Sequence, residues 1–171
     1  MSRWPVLLVG MMGSGKTTVG RIVAARLGVS YLDNDVQVRQ ATGHTVPQIA
    51  ETAGSVGVRA AEADYLRSVL DHAEPVVAGV PAGVVVDPAL RALLRTGGFT
   101  VWLRARPSTL AARVGTGAGR PWLDDDPERV LAALDTQRAG WYGEVAEVVV
   151  DVDDLTADQA ADRIVAAHQG A

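Results

Sequence analysis

Residues Gly10-Met11-Met12-Gly13-Ser14-Gly15-Lys16-Thr17 constrain this chain more than any other stretch. They follow an apolar run, Val6-Leu7-Leu8-Val9, and precede a helix-like stretch from Thr18 to Leu27. Gly, four residues, then Gly-Lys-Ser/Thr is the P-loop pattern, in the strand–loop–helix setting that it needs. Glycines let the backbone take positive φ and come close to a phosphate. The loop amides and the first helical turn then face the anion, helped by the helix dipole. Gly13, Ser14, Gly15, Lys16, Thr17 and Thr18 are therefore the expected contacts of a nucleoside triphosphate. Of the sixteen basic residues, Lys16 is the only lysine. Arg serves wherever a generic cation suffices, and a compact ammonium on a thin stem is kept where it must reach between phosphate oxygens. The plainer alternative, a glycine-rich surface turn with an incidental lysine, accounts for neither the spacing nor the lone lysine.

At 171 residues the chain is expected to form one domain with a substantial core. Only 5% of residues are aromatic, so that core must be built mainly from Val, Leu, Ala and Ile. A net charge of −4 gives no general electrostatic reason to bind nucleic acid or an anionic membrane. The absence of cysteine excludes disulfides and thiolate metal sites, as expected of a cytoplasmic protein. No apolar run reaches the length of a membrane span. The three histidines, His44, His72 and His168, have no metal-ligand spacing and read as solvated or structural.

Uninterrupted apolar runs alternate with helical patterns along the chain. Strands are expected at Trp4 to Val9, Val29 to Leu32, Pro75 to Val80, Phe99 to Leu103 and Val145 to Val150. Thr45 with Gln48 forms a plausible capping box for a helix to about Ala53, Gly54 punctuates it, and a longer helix is expected from Val58 to about His72. Asp87-Pro88 and Asp126-Pro127 open helices in cap-then-Pro order, the second running to about Gly140. Pro107 opens a helix through Arg113, and Thr156 with Gln159 caps the last one. Such alternation argues for an α/β fold, a parallel sheet with helices on both faces. Ligands of such sheets bind at the carboxyl ends of the strands. The P-loop, Asp33/Asp35 and Pro81-Ala82-Gly83 all follow strands and so should share one rim.

Phosphoryl transfer needs positioning and charge neutralisation more than covalent chemistry. Thr17 is suited to ligate Mg²⁺, with Asp33 as a second carboxylate near the metal. Asp35 is placed to accept a proton from an attacking hydroxyl or to orient it. Either aspartate could instead simply cap a following helix. The glycine-rich segment around Arg120, just past Arg113, reads as a lid over about 114–125, its closure bringing cations to the developing charge and excluding water. Arg59 and Glu62 have i,i+3 spacing, so a surface ion pair competes with a substrate role. Arg138 carries the same ambiguity. Arginines are nevertheless what a carboxylate-bearing substrate needs.

Several of these residues together resemble one family, shikimate kinase, within the nucleoside-monophosphate-kinase-like P-loop group. The similar elements are the loop and helix start from Gly10 to Arg21, Leu32-Asp33-Asn34-Asp35, Thr42 to Val46, Gly54 to Glu62, Val101-Trp102-Leu103, Arg120 to Leu123 and Arg138 to Tyr142. The resemblance spans nearly the whole chain, in order. It implies a three-layer fold with a five-stranded parallel sheet in order 2-3-1-4-5, a lid, and a substrate-binding helical region over about 34–62. It also implies transfer of the ATP γ-phosphoryl group to a hydroxyl of shikimate by a cytoplasmic monomer using Mg²⁺. Lys16 and Thr17 would hold phosphates and metal, with Asp33 behind the metal. Asp35 would engage the acceptor hydroxyl, Arg59 and Arg138 the substrate carboxylate, Arg113 the adenine, and Arg120 would come from the lid.

The departures all lie on the substrate side. Where the family has three glycines offering amides to substrate, this chain has Pro81-Ala82-Gly83, leaving Gly83 as the retained glycine. Ser55 stands where the family has Glu, and Val58 and Ala50 where it has aromatics. Such losses cost on the order of a few kcal/mol of acceptor binding unless compensated. Two alternatives therefore stay open: a kinase of another small hydroxy acid, and a nucleotide-binding paralogue impaired in transfer.

Overall fold

The computed structural model describes residues 3–115 and 126–171. Its elements run β1 (Val6–Val9), α1 (Lys16–Leu27), β2 (Ser30–Leu32), α2 (Asn34–Thr42), α3 (Val46–Leu70), β3 (Val76–Gly79), a 3₁₀ turn (Val84–Val86), α4 (Pro88–Gly97), β4 (Phe99–Arg104), α5 (Pro107–Val114), α6 (Pro127–Val145), β5 (Val148–Asp151) and α7 (Ala157–Gln169). All pairings are parallel, in the order β2-β3-β1-β4-β5. The fold class and strand order are those expected from the sequence.

Every residue of β1 and β3 is buried, which is why these strands read as unbroken apolar runs. Right-handed crossovers dictate the layers. From β1 the chain moves to β2 at one edge, carrying α1 across one face. From β3 it returns past β1 to β4, carrying α4 across the other. Accordingly α1 packs against α7 and α4 against α6. The direction of travel reverses between β1 and β3, and this opens a crevice above their carboxyl ends. No helix among the described residues is long and apolar enough to cross a membrane.

Some boundaries differ from the sequence expectations. The Thr45 capping box is present, with Gln48 amide and side chain both engaged. The helix it opens continues to Leu70, broken only at Gly54, whose φ of 62° and ψ of −162° kink it. The punctuation was legible, but helix resumes at once because a single glycine in that conformation redirects the axis and then leaves the next turn free to form. α2 had no periodic signature and owes its start to Asp33. α6 runs to Val145, displacing the start of β5 to Val148, because Tyr142 and Val145 are buried on its inner face. The expected lid falls almost wholly on 116–125, outside the described residues, and Arg120 with it.

Candidate active site

The P-loop crosses from β1 to α1 through Gly15, the N-cap of α1, at φ 94°. That left-handed conformation is strained for residues with a Cβ. The Lys16 ammonium donates to the Gly10 and Met11 carbonyls, at 2.7 and 3.0 Å, and borders the cleft. Ser14 Oγ is buried inside the loop without a partner among the described residues. Beside the loop, Ser14, Gly15, Thr18, Arg113, Val152 and Thr156 line a pocket of 230 Å³. The Arg113 guanidinium is held at its mouth by the Gly13 and Val152 carbonyls, each at 3.3 Å. Arg113 thus stands between the nucleotide loop and the segment 152–156.

Asp33 caps a helix and also borders Thr17. Its Oδ1 caps α2, accepting from the Asp35 and Val36 amides at 3.0 and 3.4 Å. Its Oδ2 lies 3.5 Å from Thr17 Oγ1. Two hard oxygen donors adjoining a phosphate-binding loop fit Mg²⁺, whose remaining positions are ordinarily filled by nucleotide phosphates and water. No larger group of acidic or histidine side chains among the described residues could hold a metal. Asp35 sits in the first turn of α2, takes the Asn34 side-chain amide at 3.1 Å, and opens on the same cleft. Tyr31 lies close by against Gly79. Burial raises its phenol above the ordinary range, while its contact with Thr17 pulls the other way.

The opposite wall comes from α3, α6 and the turn after β3. Arg59 Nη1 donates to Glu62 Oε2 at 2.7 Å, so the i,i+3 pair expected from the sequence exists. It is not merely a surface pair. Both residues line the cleft, and the guanidinium lies so close over Gly83 that a Cβ there would fall upon it. Burial holds the Glu62 carboxyl above its ordinary value, opposed by Arg59 and Arg138. Arg138 reaches in from α6, with Nη1 donating to the Ala82 carbonyl at 3.3 Å and Nε buried without a partner among the described residues. Gly83 has φ −86° and ψ −9°, so it is retained for clearance rather than for conformation.

These groups face one another across a cleft of 1350 Å³ that runs from the P-loop to α3 and α6. Ala50, Ser55, Val58, Pro81 and Ala82 also line it, so the departures from the family pattern cluster where an acceptor would sit. Glu62 and Tyr142 were missed as site residues. The first was legible only as an ion-pair partner. The second is buried in α6, and its hydroxyl reaches the Ala82 carbonyl.

A family model described as shikimate kinase matches residues 12–169. The chain belongs to the shikimate kinase family. A shikimate kinase of Halorhodospira halophila is 40% identical over 166 residues, covering 96% of this chain and 93% of the relative. One from Stenotrophomonas maltophilia is 36% identical over 161 residues, covering 94% and 89%. Among solved structures, the shikimate kinase from Acinetobacter baumannii in complex with shikimate superimposes with a TM-score of 0.90 at 32% identity, covering 97% of this chain and 93% of that one. Members of the shikimate kinase family are phosphotransferases that use ATP.

Proposed function

We propose that this protein transfers the γ-phosphoryl group of ATP to a hydroxyl of shikimate, giving shikimate 3-phosphate and ADP. The observation that carries this reading is the pair of arginines, Arg59 and Arg138, across one cleft from Lys16, Thr17 and Asp33. Nucleotide binding alone needs no such pair, and Arg138 Nε, without a partner among the described residues, is suited to donate to a carboxylate.

On this reading the roles are as follows. Gly13, Ser14, Gly15, Lys16, Thr17 and Thr18 bind the phosphates, and Arg113 borders the base. Thr17 and Asp33 hold Mg²⁺, which neutralises phosphate charge when bound. Arg59, Arg138 and the Gly83 turn receive the shikimate carboxylate. Asp35 orients the attacking hydroxyl and accepts its proton as the O–P bond forms, while the bond from phosphorus to the ADP oxygen breaks. Lys16 stabilises the charge that develops on the departing phosphates.

The test is ADP release, with ³¹P detection of the product, for shikimate and for a panel of other polyhydroxy acids, with and without Mg²⁺. Shikimate-stimulated, Mg²⁺-dependent turnover is expected. Stronger stimulation by another acid would transfer the assignment to that acceptor, which Ala50, Val58 and Pro81-Ala82 would then explain. Stimulation by none of them would refute the enzymatic reading.

A further inference from the structure

Tyr142 is wholly buried in α6, and its ring is stacked on Trp102 with centroids 5.6 Å apart. Its hydroxyl nevertheless emerges beneath the acceptor wall. It donates to the Ala82 carbonyl at 2.8 Å, and Met11 Sδ lies 3.8 Å from the Tyr142 hydroxyl oxygen. The Ala82 carbonyl therefore has two donors, a short one from the phenol and a long one, 3.3 Å, from Arg138 Nη1. A carbonyl oxygen has two lone pairs and can take both. Burial keeps the phenol protonated well above its ordinary range, so it remains a donor.

The lengths of the two bonds divide the labour. The neutral Ala82 carbonyl takes the phenol in the shorter bond and the Arg138 guanidinium in the longer one. Arg138 thus sits back from the turn, and its Nε has no partner among the described residues. Without the phenol proton, the half-buried carbonyl would be left to the guanidinium among the described residues. Arg138 would then be drawn onto the turn and away from the cleft.

We propose that Tyr142 is a positioning residue for the acceptor: by holding the Ala82 carbonyl from within the core, it keeps the Arg138 guanidinium turned towards the substrate carboxylate. The inference rests on the reading that a carboxylate-bearing acceptor occupies this wall. It adds a residue that touches neither substrate nor nucleotide.

Tyr142→Phe keeps the ring and its stack and removes one hydroxyl. We expect the KM for shikimate to rise about five- to tenfold, with kcat and the KM for ATP within about twofold of wild type, on the scale of one charge-assisted contact weakened but not lost. In an Arg138→Met background the same change should alter the shikimate KM by less than about twofold, since neighbours acting through one another are not additive. Equal increases in both KM values, or full additivity with Arg138→Met, would overturn the proposal in favour of general structural damage. If Tyr142→Phe fails to fold, wild-type protein labelled at tyrosine ¹³Cζ serves instead, with resonances assigned through Tyr31→Phe and Tyr65→Phe. Saturating shikimate should then shift the Tyr142 signal and leave that of Tyr65 in place, and an unmoved Tyr142 signal would refute the coupling. A wild type that binds no shikimate would sink the functional reading itself. A wild type that binds it, beside a variant that binds it equally well, would sink only this inference.

Discussion

Gly83→Ala isolates the contact between the acceptor turn and its arginine. At φ −86° and ψ −9° alanine fits the backbone without strain, so the substitution acts only through its new methyl group. That methyl would land on the Arg59 guanidinium, overlapping Nη1, Cζ and Nη2. Restoring ordinary contact at about 3.5–4 Å requires the guanidinium to retreat by about 2 Å. The guanidinium is the far end of a flexible side chain that is 47% exposed, so it can swing aside cheaply. Its pairing with Glu62 would lengthen, at a stability cost of about 0–1 kcal/mol for a pair with one partner half-exposed. Displacement by about 2 Å takes the N–H groups out of hydrogen-bonding range of a carboxylate seated on the turn, losing about 1.5–3 kcal/mol. We therefore expect the shikimate KM to rise about 10- to 150-fold. The KM for ATP should be unchanged and Tm should fall by at most about 4 °C. Coupled ADP-release assays with each substrate titrated in turn, and a thermal melt, measure all three. A well-folded Gly83→Ala with wild-type shikimate KM would refute the assigned role of Arg59.

Four other outcomes follow from the same geometry. Asp35→Asn should leave ADP affinity intact by calorimetry while lowering turnover by about 10²–10⁴-fold, and near-normal turnover would remove its role as base. Lys16→Ala should weaken nucleotide binding at least about tenfold, since both the phosphate cation and the tether to the Gly10 and Met11 carbonyls are lost, and unchanged ADP binding by titration would count against it. The Tyr65 hydroxyl lies between the Leu32 and Gly79 carbonyls at the ends of β2 and β3, 3.0 Å from each, and its one proton serves either or is shared between them. Tyr65→Phe should therefore cost about 1–2 kcal/mol, a drop in Tm of about 2–8 °C, and an unaltered melt would show those carbonyls to be satisfied otherwise. Glu62 has a folded pKa raised above the ordinary 4.5, so the native state binds that proton more tightly than the unfolded chain does. Its contribution is most favourable below that value and is lost as pH rises through the folded pKa. Wild type should accordingly lose stability relative to Glu62→Gln as pH rises from 4.5 through the folded pKa in parallel melts, and the opposite trend would show that Arg59 outweighs burial.

Much of the donor side was legible residue by residue because phosphate recognition here is local. Gly15, Lys16 and Thr17 are adjacent, and the backbone between β1 and α1 makes the site almost unaided. The order of the sheet rested on resemblance, since strand order depends on crossovers and not on any one segment. Asp33 was open between cap and metal ligand, and its geometry accommodates both readings: one oxygen caps α2 and the other meets Thr17 Oγ1.

The acceptor side was another matter. Arg59, Gly83 and Arg138 come from α3, the turn after β3, and α6, and no spacing along the chain relates them. The sequence by itself determined the parallel α/β architecture, the nucleotide loop and the residue types available to meet a carboxylate. Only the tertiary structure decided that Arg59 needs the missing side chain of Gly83, and that Tyr142 and Arg138 share the Ala82 carbonyl. The reason is physical. Loop amides and a neighbouring lysine are placed by local backbone geometry, whereas contacts between distant segments exist only once the core has packed them together.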